Sequence, residues 1–533
     1  MAGPDSQTGT APVRNNRPAG FVAGILHDLS NWYEGNKVIF WAAYTVTLIS
    51  YSYLFTSIGF TNHTFPEAWT YSLPSYRTVR EGRWFSDFLR WLLGGAGVQS
   101  SQMYVSVGLF IVVAIVVAGM FGAEGGAATF LAVVFLNLYP ANLDRYSFPG
   151  CEIVFVAADA FAVLGVLVLS RQKTAWKAAA GAVPLFVLSF ATYQPAVALA
   201  AFLVLAHCLM LVLGRRGHGR PGTLPWERIT TAGGALVLGS GLYYATAKMT
   251  TDIGAYARTQ VNGLHEILGQ IGGSYPALVH YFSSGSDYLP VSLRGVPLAM
   301  VLLGAFLLLR EAWGKGAASF LASAFFLGAM PVALRASYII NSRSFEHVGR
   351  IVHPYGFALL FFLLAVCTAE RSGKILRIAG LSALTVLISF SFILATQETN
   401  KMYLKMIFDT NKINRIAARI EEAVPDLYDR KAAIVVIGNL PMGGKKFTGQ
   451  PNKGNSAEAD NETFATYRQP QILNFYFGRE IFVRPTSRQR DRAILSSRGR
   501  RPWPSPESIY VDDDVVVVLL EKYRPGVSIT WTE

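Results

Sequence analysis

Apolar residues recur along this chain in runs of about twenty, separated by short polar or charged stretches. A run of that length is what an α-helix needs to cross the hydrocarbon core of a bilayer. Eleven such spans are predicted, at roughly 38–56, 101–121, 126–140, 151–170, 178–194, 195–214, 229–247, 295–313, 317–335, 351–369 and 378–396. The third is short enough to be a partial or re-entrant span. The fifth and sixth meet at Tyr193-Gln194-Pro195, a very tight turn. Beyond the last span the pattern changes. Ile407, Ile413, Ile416, Ala417 and Ile420 recur at helical spacing. Ala432–Gly438 and Val515–Leu520 then read as short buried strands, with a polar stretch at 443–466 between them. The expected architecture is an all-α multi-pass membrane bundle with a small extracytoplasmic α/β domain. Its parts are a polar tail (1–37), a membrane domain (38–396) and a C-terminal domain (397–533).

Composition agrees with the pattern. Of 533 residues, 52% are apolar and 15% charged, whereas soluble chains carry about 25% charged residues. An ordinary soluble enzyme and a disordered protein are both excluded. Met1–Lys37 has no apolar core of its own and reads as a polar tail, not a signal peptide. Cys151, Cys208 and Cys367 each fall in or beside an apolar run, and no CxxC or Cys/His cluster suggests structural zinc.

The formal net charge of +13 bears on orientation more than on nucleic acid. With the N-terminal tail in the cytoplasm, the inner loops hold fifteen basic residues, among them Arg171, Lys173, Arg215, Arg228, Lys315 and Lys374. The longer outer loops before the last span hold eleven. That bias has the sign expected for an inward N-terminus. An odd number of spans then puts the C-terminal domain outside. The long loops, 57–100 and 248–294, fall outside too, so the working surface is expected there.

The first outer loop mixes acids, arginines and aromatics: Glu67, Trp69, Arg77, Arg80, Glu81, Arg83, Trp84 and Asp87. Two readings stay open. One is a catalytic loop, in which a carboxylate takes a proton from a sugar hydroxyl and arginines hold a lipid phosphate. The other is an interfacial amphipathic helix with an aromatic belt. The second outer loop holds Asp144 and Arg145, read as a solvated pair unless functional, followed by Glu152 at a span end. Asp159 lies inside a span, where an ionisable group needs a partner or a cavity. At the fifth turn, Gln194 is either a capping amide or a hydroxyl-binding group. Arg343, His347, Arg350 and His353 precede the tenth span and suit either a phosphate or lipid headgroups. The arginine-rich segment 479–501 suits anionic lipid or acidic polysaccharide, or is simply a solvated basic loop.

Several of these stretches resemble one family. Arg80-Glu81-Gly82-Arg83-Trp84-Phe85-Ser86-Asp87, the Asn142-Leu143-x-x-Tyr146-x-Phe148 loop and Ala191-Thr192-Tyr193-Gln194-Pro195 occur in the order seen in GtrII-type, O-antigen-modifying membrane glucosyltransferases. Asp409-Thr410-Asn411 and Ala417-Ala418-Arg419-Ile420 are similar to that family's post-membrane helix. The resemblance implies a GT-C-like glycosyltransferase of the bacterial inner membrane. Such an enzyme moves a sugar, here glucose, from a polyprenyl-phosphate carrier to a surface polysaccharide or O-antigen acceptor on the periplasmic side. Its partners would be the lipid-linked sugar, the glycan acceptor and the bilayer, with no nucleic acid. No cofactor is implied, and a divalent cation stays open. Relatives usually carry an Asp pair early in the first loop, which here reduces to Glu67. The expected roles are Glu67 as base with Asp87 or Glu152 as helper. Arg77, Arg83 and Arg350 would bind phosphate, with His347 beside them, and Tyr193 and Gln194 would line the sugar pocket. Competing classes are a flippase for lipid-linked sugars, disfavoured because no internal repeat is visible, and a non-catalytic envelope-assembly protein.

Overall fold

A computed structural model describes residues 21–56, 81–92, 99–123, 126–147, 152–215, 224–250, 262–284, 288–341, 349–368, 373–429, 431–439, 469–527 and 529. Each predicted apolar run lies on a helix. In chain order these are α1 (Phe21–Ser50), α2 (Ser52–Thr56), α3 (Trp84–Leu92), α4 (Gln99–Met120), α5 (Gly126–Leu138), α6 (Ala141–Tyr146), α7 (Glu152–Arg171), α8 (Ala175–Thr192), α9 (Ala196–Val212) and α10 (Trp226–Thr250). They continue with α11 (Leu264–Phe282), α12 (Val296–Trp313), α13 (Ala317–Leu334), α14 (Ala336–Ile340), α15 (Gly349–Val352), α16 (Pro354–Thr368) and α17 (Lys374–Ala423).

The expectation of eleven spans is not supported by length and hydropathy. Among the described residues, seven helices are long and apolar enough to cross a membrane, or up to eight if α5 and α6, bent by 56° at Tyr139-Pro140, count as one span. The shortfall has local causes. The apolar part of α1 begins only after Glu34-Gly35-Asn36-Lys37 and breaks at Tyr51. α9 is apolar throughout but has 17 residues. α10 is diluted by Glu227, Arg228, Lys248 and several Thr and Gly residues.

Small residues let these helices approach closely, as is common where lipid surrounds a bundle. A Cβ on Gly304 of α12 would lie 2.6 Å from the Phe362 carbonyl oxygen of α16. Gly165 of α7 and Gly239 of α10 both abut Phe186 of α8, where an added Cβ would fall 2.7 and 2.8 Å from its atoms.

The bundle has two distinct ends. At the lower end Arg215, Glu311 and Lys315 form ion pairs, and Arg215 also donates to Thr368 Oγ1 at 3.4 Å. These contacts tie together the C-terminal ends of α9, α12 and α16. At the upper end lie the C-terminal ends of α5, α8 and α10 and the N-terminal ends of α7, α9 and α16.

α17 rises from the lower end and does not stop at the upper one. Its 50 residues make it about 75 Å long at 1.5 Å per residue, far more than the ~30 Å hydrocarbon core. Residue 397, the expected domain boundary, lies within it. Tyr403 stacks on Tyr53 of α2 at 5.4 Å, and Ile413, Ile416 and Ile420 then enter a second core. That core belongs to a four-stranded sheet of order β2-β1-β4-β3. β1 (Ala432–Ile437) runs parallel to β2 (Phe482–Val483) and β4 (Val515–Leu519), and β3 (Ile509–Asp512) is antiparallel to β4. β1 and β4 are buried throughout, which explains their unbroken apolar sequence. One sheet face is covered by α17 and α18 (Gln469–Tyr476), the other by α19 (Ser487–Ser496). The α/β reading of the tail therefore holds. The polar stretch 443–466 lies outside the described residues.

Ala is a better helix former than Gly by about 1 kcal/mol, so packing decides the sign of a Gly-to-Ala change. Gly304→Ala is expected to lower the thermal unfolding midpoint of the detergent-solubilised protein. Gly241→Ala, with nothing within 4 Å of the added Cβ, is expected to hold or raise it. Equal behaviour of the two variants would contradict the close contact of α12 and α16.

Candidate active site

Buried charge is concentrated at the upper end. Tyr139 and Pro140 break the helix after Leu138, and the short α6 turns back across the bundle. The break exposes the carbonyl of Leu136, and the Asn142 side-chain amide donates to it. Asn142 Oδ1 in turn accepts from Arg145 Nη1 at 3.1 Å. Arg145 is almost wholly buried and pairs with Asp159 of α7 at 2.7 Å. The second Asp159 oxygen lies 2.9 Å from His353 Nε2, between α15 and α16. The Arg145 guanidinium also sits 5.3 Å from the Phe110 ring. One acid two turns inside a membrane helix thus holds a cation from α6 and an imidazole from the start of α16.

The neighbouring acid behaves differently. Asp144 is fully buried, not the solvated partner of Arg145 that adjacency suggested. It accepts the backbone N–H of Arg350 at 3.0 Å and lies 3.5 Å from the Arg350 guanidinium. Successive residues of α6 point into different surroundings, so Asp144 pairs with Arg350 while Arg145 pairs with Asp159.

Arg83, just before α3, forms a second cluster. Its Nε donates to Gln194 Oε1 at 2.8 Å, its Nη1 pairs with Glu81 at 3.1 Å, and its guanidinium lies 4.9 Å from the Tyr193 ring. The Gln194 amide nitrogen donates to the Glu81 carbonyl oxygen. Gly82, between the two, takes φ +72°, a left-handed conformation that favours glycine, and has the Tyr243 hydroxyl and Ala247 against it. The charges of Arg350, Arg83, Asp144 and Arg145 all reach the Tyr193 phenol. The turn at 193–195 therefore joins the two clusters.

Of the expected site residues, Arg83, Arg350, Tyr193 and Gln194 lie at this end, and Arg83 holds the last two directly. Gln194 commits its amide to Arg83 and the Glu81 backbone and so orients the arginine. Asp87 on α3 and Glu152 at the start of α7 are both buried, at 5% and 2% exposure. α3 turns Ser86, Asp87 and Arg90 inward and Phe88, Trp91 and Leu92 outward. It is amphipathic, with its polar face against the protein. Glu67, Arg77 and His347 lie outside the described residues. Sequence reasoning missed the role of Arg145, which looked like the partner of its neighbour, and of Tyr243, which looked like one more aromatic in an apolar helix. Among the described residues no group of His, Cys, Asp and Glu is arranged to hold a metal.

Two arginines with partly exposed side chains, 22% for Arg83 and 20% for Arg350, flank a buried turn at one end of a helical bundle. Such groups can bind an anion by charge-assisted hydrogen bonds. Residues 68–357 match the family described as Glucosyl transferase GtrII. The chain belongs to this family. The GtrII match begins one residue after Glu67 and encloses Arg83, Asp87, Asp144, Arg145, Glu152, Asp159, Tyr193, Gln194, Arg350 and His353. No curated protein and no solved structure matches the chain. GtrII membership makes it a glucosyl transferase, and its apolar helices make it a membrane protein.

Removing one member of a buried ion pair leaves the other uncompensated, typically at about 3–5 kcal/mol. Asp159→Ala is therefore expected to reduce sharply the yield of folded protein in detergent. The double variant Arg145→Met, Asp159→Leu, which removes both charges, is expected to recover much of it. Recovery no better than in the single variant would contradict the pairing.

Proposed function

We propose that this chain transfers a glucosyl unit from a polyprenyl-phosphate carrier to a surface polysaccharide or O-antigen acceptor, at the periplasmic face of the bacterial inner membrane. The observation that carries the reading is the placement of Arg83 and Arg350 around the Tyr193 turn, at one end of a bundle whose family transfers glucose. The carrier's tail lies in the bilayer and its phosphate sits against the two arginines, with Arg77 and His347 as further ligands. Glu67 takes the proton of the acceptor hydroxyl, with Asp87 or Glu152 assisting. The hydroxyl oxygen attacks the anomeric carbon, the bond to the phosphate oxygen breaks, and polyprenyl phosphate leaves with its charge stabilised by the arginines. Tyr193 borders the sugar, and Gln194 acts by aiming Arg83. Asp144 does the same for Arg350.

Direction along the bundle supports the periplasmic assignment. The lower end carries Arg171, Lys173, Arg215, Arg228, Lys315 and Lys374, the basic surplus expected on the cytoplasmic side. Alternation of helix ends is what eleven crossings would require, with the 17-residue α9 buried among its neighbours. The upper end, and the sheet domain that α17 carries beyond it, then face the periplasm.

Surface polysaccharide from a strain lacking this protein is expected to lose a hexose on mass spectrometry. Restoration by Glu67→Gln would exclude that residue as the base. Arg83→Gln and Arg350→Gln are each expected to cut transfer in membranes about a hundredfold, the scale of losing a donor that stabilises developing charge. Wild-type rates in both would overturn the phosphate assignment. Alkaline phosphatase fused after residue 397 is expected to be active, and an inactive fusion at normal expression would place the sheet domain in the cytoplasm.

A further inference from the structure

The second long outer loop, 248–294, contains α11, which the transfer chemistry does not use. Both ends of α11 are tied to the upper end of the bundle. Asn262, just before it, donates its backbone N–H to the Ile340 carbonyl at 2.9 Å and its side-chain amide to the Ile339 carbonyl at 3.0 Å, at the close of α14. Phe282, its last residue, is buried, with its ring centroid 5.9 Å from that of Tyr355 at the start of α16. Between these anchors α11 passes below the lip of the bundle. The Tyr275 hydroxyl donates to the Gly328 carbonyl of α13 at 2.9 Å. Gly328 lies a turn and a half before the end of α13, which places it about 9 Å down the axis of that helix. α13 is an apolar helix of crossing length, so this contact falls at the depth of acyl chains and headgroups, not in open water.

The side chains of α11 sort into three arcs. At about 100° per residue, Leu264, Leu268, Tyr275 and Val279 fall within about 60° of one another, and they are between 46% and 74% exposed. A second arc meets the protein: Ser274 is buried, and Gln270 accepts from Arg335 of the α13–α14 junction at 3.5 Å. His265, Glu266 and His280 form a third arc, exposed and polar, between about 100° and 200° round from Leu264. A helix on a water-covered surface turns its apolar stripe inward and its polar side out. Here the apolar stripe is open and holds no charged residue. It also continues onto a surface that lipid must cover. Leu321 and Phe325 of α13 are exposed, and Phe325 lies one turn before the Gly328 that Tyr275 reaches. Leu302 and Phe306 of the neighbouring α12 are exposed as well.

We infer that α11 lies embedded in the membrane leaflet at the upper end of the bundle, with Leu264, Leu268, Tyr275 and Val279 among phospholipid acyl chains and His265, Glu266 and His280 at headgroup level. The bilayer that surrounds α12 and α13 already reaches the edge of the stripe, and embedding removes its large apolar groups from water. Tyr275 suits the boundary, since its ring joins the stripe while its hydroxyl is satisfied by Gly328. The second long outer loop is then a membrane-bound rim beside the arginine-bearing end, not a free arm above it. Naming this leaflet as the outer one rests on the proposed orientation; the embedding itself does not.

The test uses the full-length protein in nanodiscs of phosphatidylethanolamine and phosphatidylglycerol. Leu268→Cys, Val279→Cys and, on the exposed side of α17 in the sheet domain, Glu422→Cys each receive a nitroxide spin label, with the unsubstituted chain labelled as the blank. All three positions are open, so the thermal unfolding midpoints are expected to match that of the unsubstituted chain. Collision with oxygen, which concentrates in acyl chains, is compared with collision with a water-soluble nickel chelate. Oxygen is expected to exceed nickel at 268 and 279, and nickel to exceed oxygen at 422. Nickel above oxygen at either α11 position would put the stripe in water and overturn the inference. Little collision with either reagent would mean that protein covers the stripe, a second copy of the chain included, and would overturn it too. Lipid-type collisions in a protein that transfers no glucose would sink the proposed reaction and leave the embedded helix standing.

Discussion

An ionised group inside a membrane bundle must be neutralised where it sits, because neither lipid nor packed side chains solvate it. Asp159 meets that constraint by holding Arg145 and His353 at once. The three residues come from α7, α6 and the start of α16, so one local requirement fixes how three separate parts of the chain meet. The broken helix at Tyr139-Pro140 serves the same end, since without the bend α6 would not carry Arg145 across to α7. Arg350 is placed as a consequence. It lies three residues before His353, and Asp144, one residue before Arg145, grips its backbone and its guanidinium.

The two ends of the bundle divide labour in charge. Below, Arg215, Glu311 and Lys315 staple helix termini together in a small, locally balanced cluster. Above, Asp87, Asp144, Glu152 and Asp159 are buried, and Arg83 and Arg350 keep part of their surface open. Acids held inside with cations left at the rim make a surface disposed to take an anion. The long α17 carries the sheet domain out on this same side, and the Tyr53–Tyr403 stack fastens its exit beside α2.

Much of the helical layout was legible because few structures apart from a membrane-crossing helix use apolar runs near twenty residues. The Tyr193-Gln194-Pro195 turn falls where the sequence suggested, and the tail's buried strands follow from Val515–Leu519 and Ala432–Ile437. What stayed hidden depended on partners far away in the chain. Asp144 sits next to Arg145 in sequence, yet it pairs with Arg350, and Gln194 finds Arg83 across more than a hundred residues. Adjacency is a poor guide on a helix, where neighbouring side chains diverge by about 100°. The continuity of α17 was hidden by a different cause: its pattern changes from uniformly apolar to amphipathic at the membrane edge, which reads as two elements although the backbone never breaks.

The central claim is that Arg83 and Arg350 hold the phosphate of a lipid-linked sugar at the upper end of the bundle. Electron cryomicroscopy of the protein in nanodiscs with polyprenyl-phosphate glucose tests it most directly. Phosphate density is expected in hydrogen-bond reach of both guanidinium groups, beside the Tyr193 turn. Density at the lower end, against Arg215 and Lys315, would contradict it.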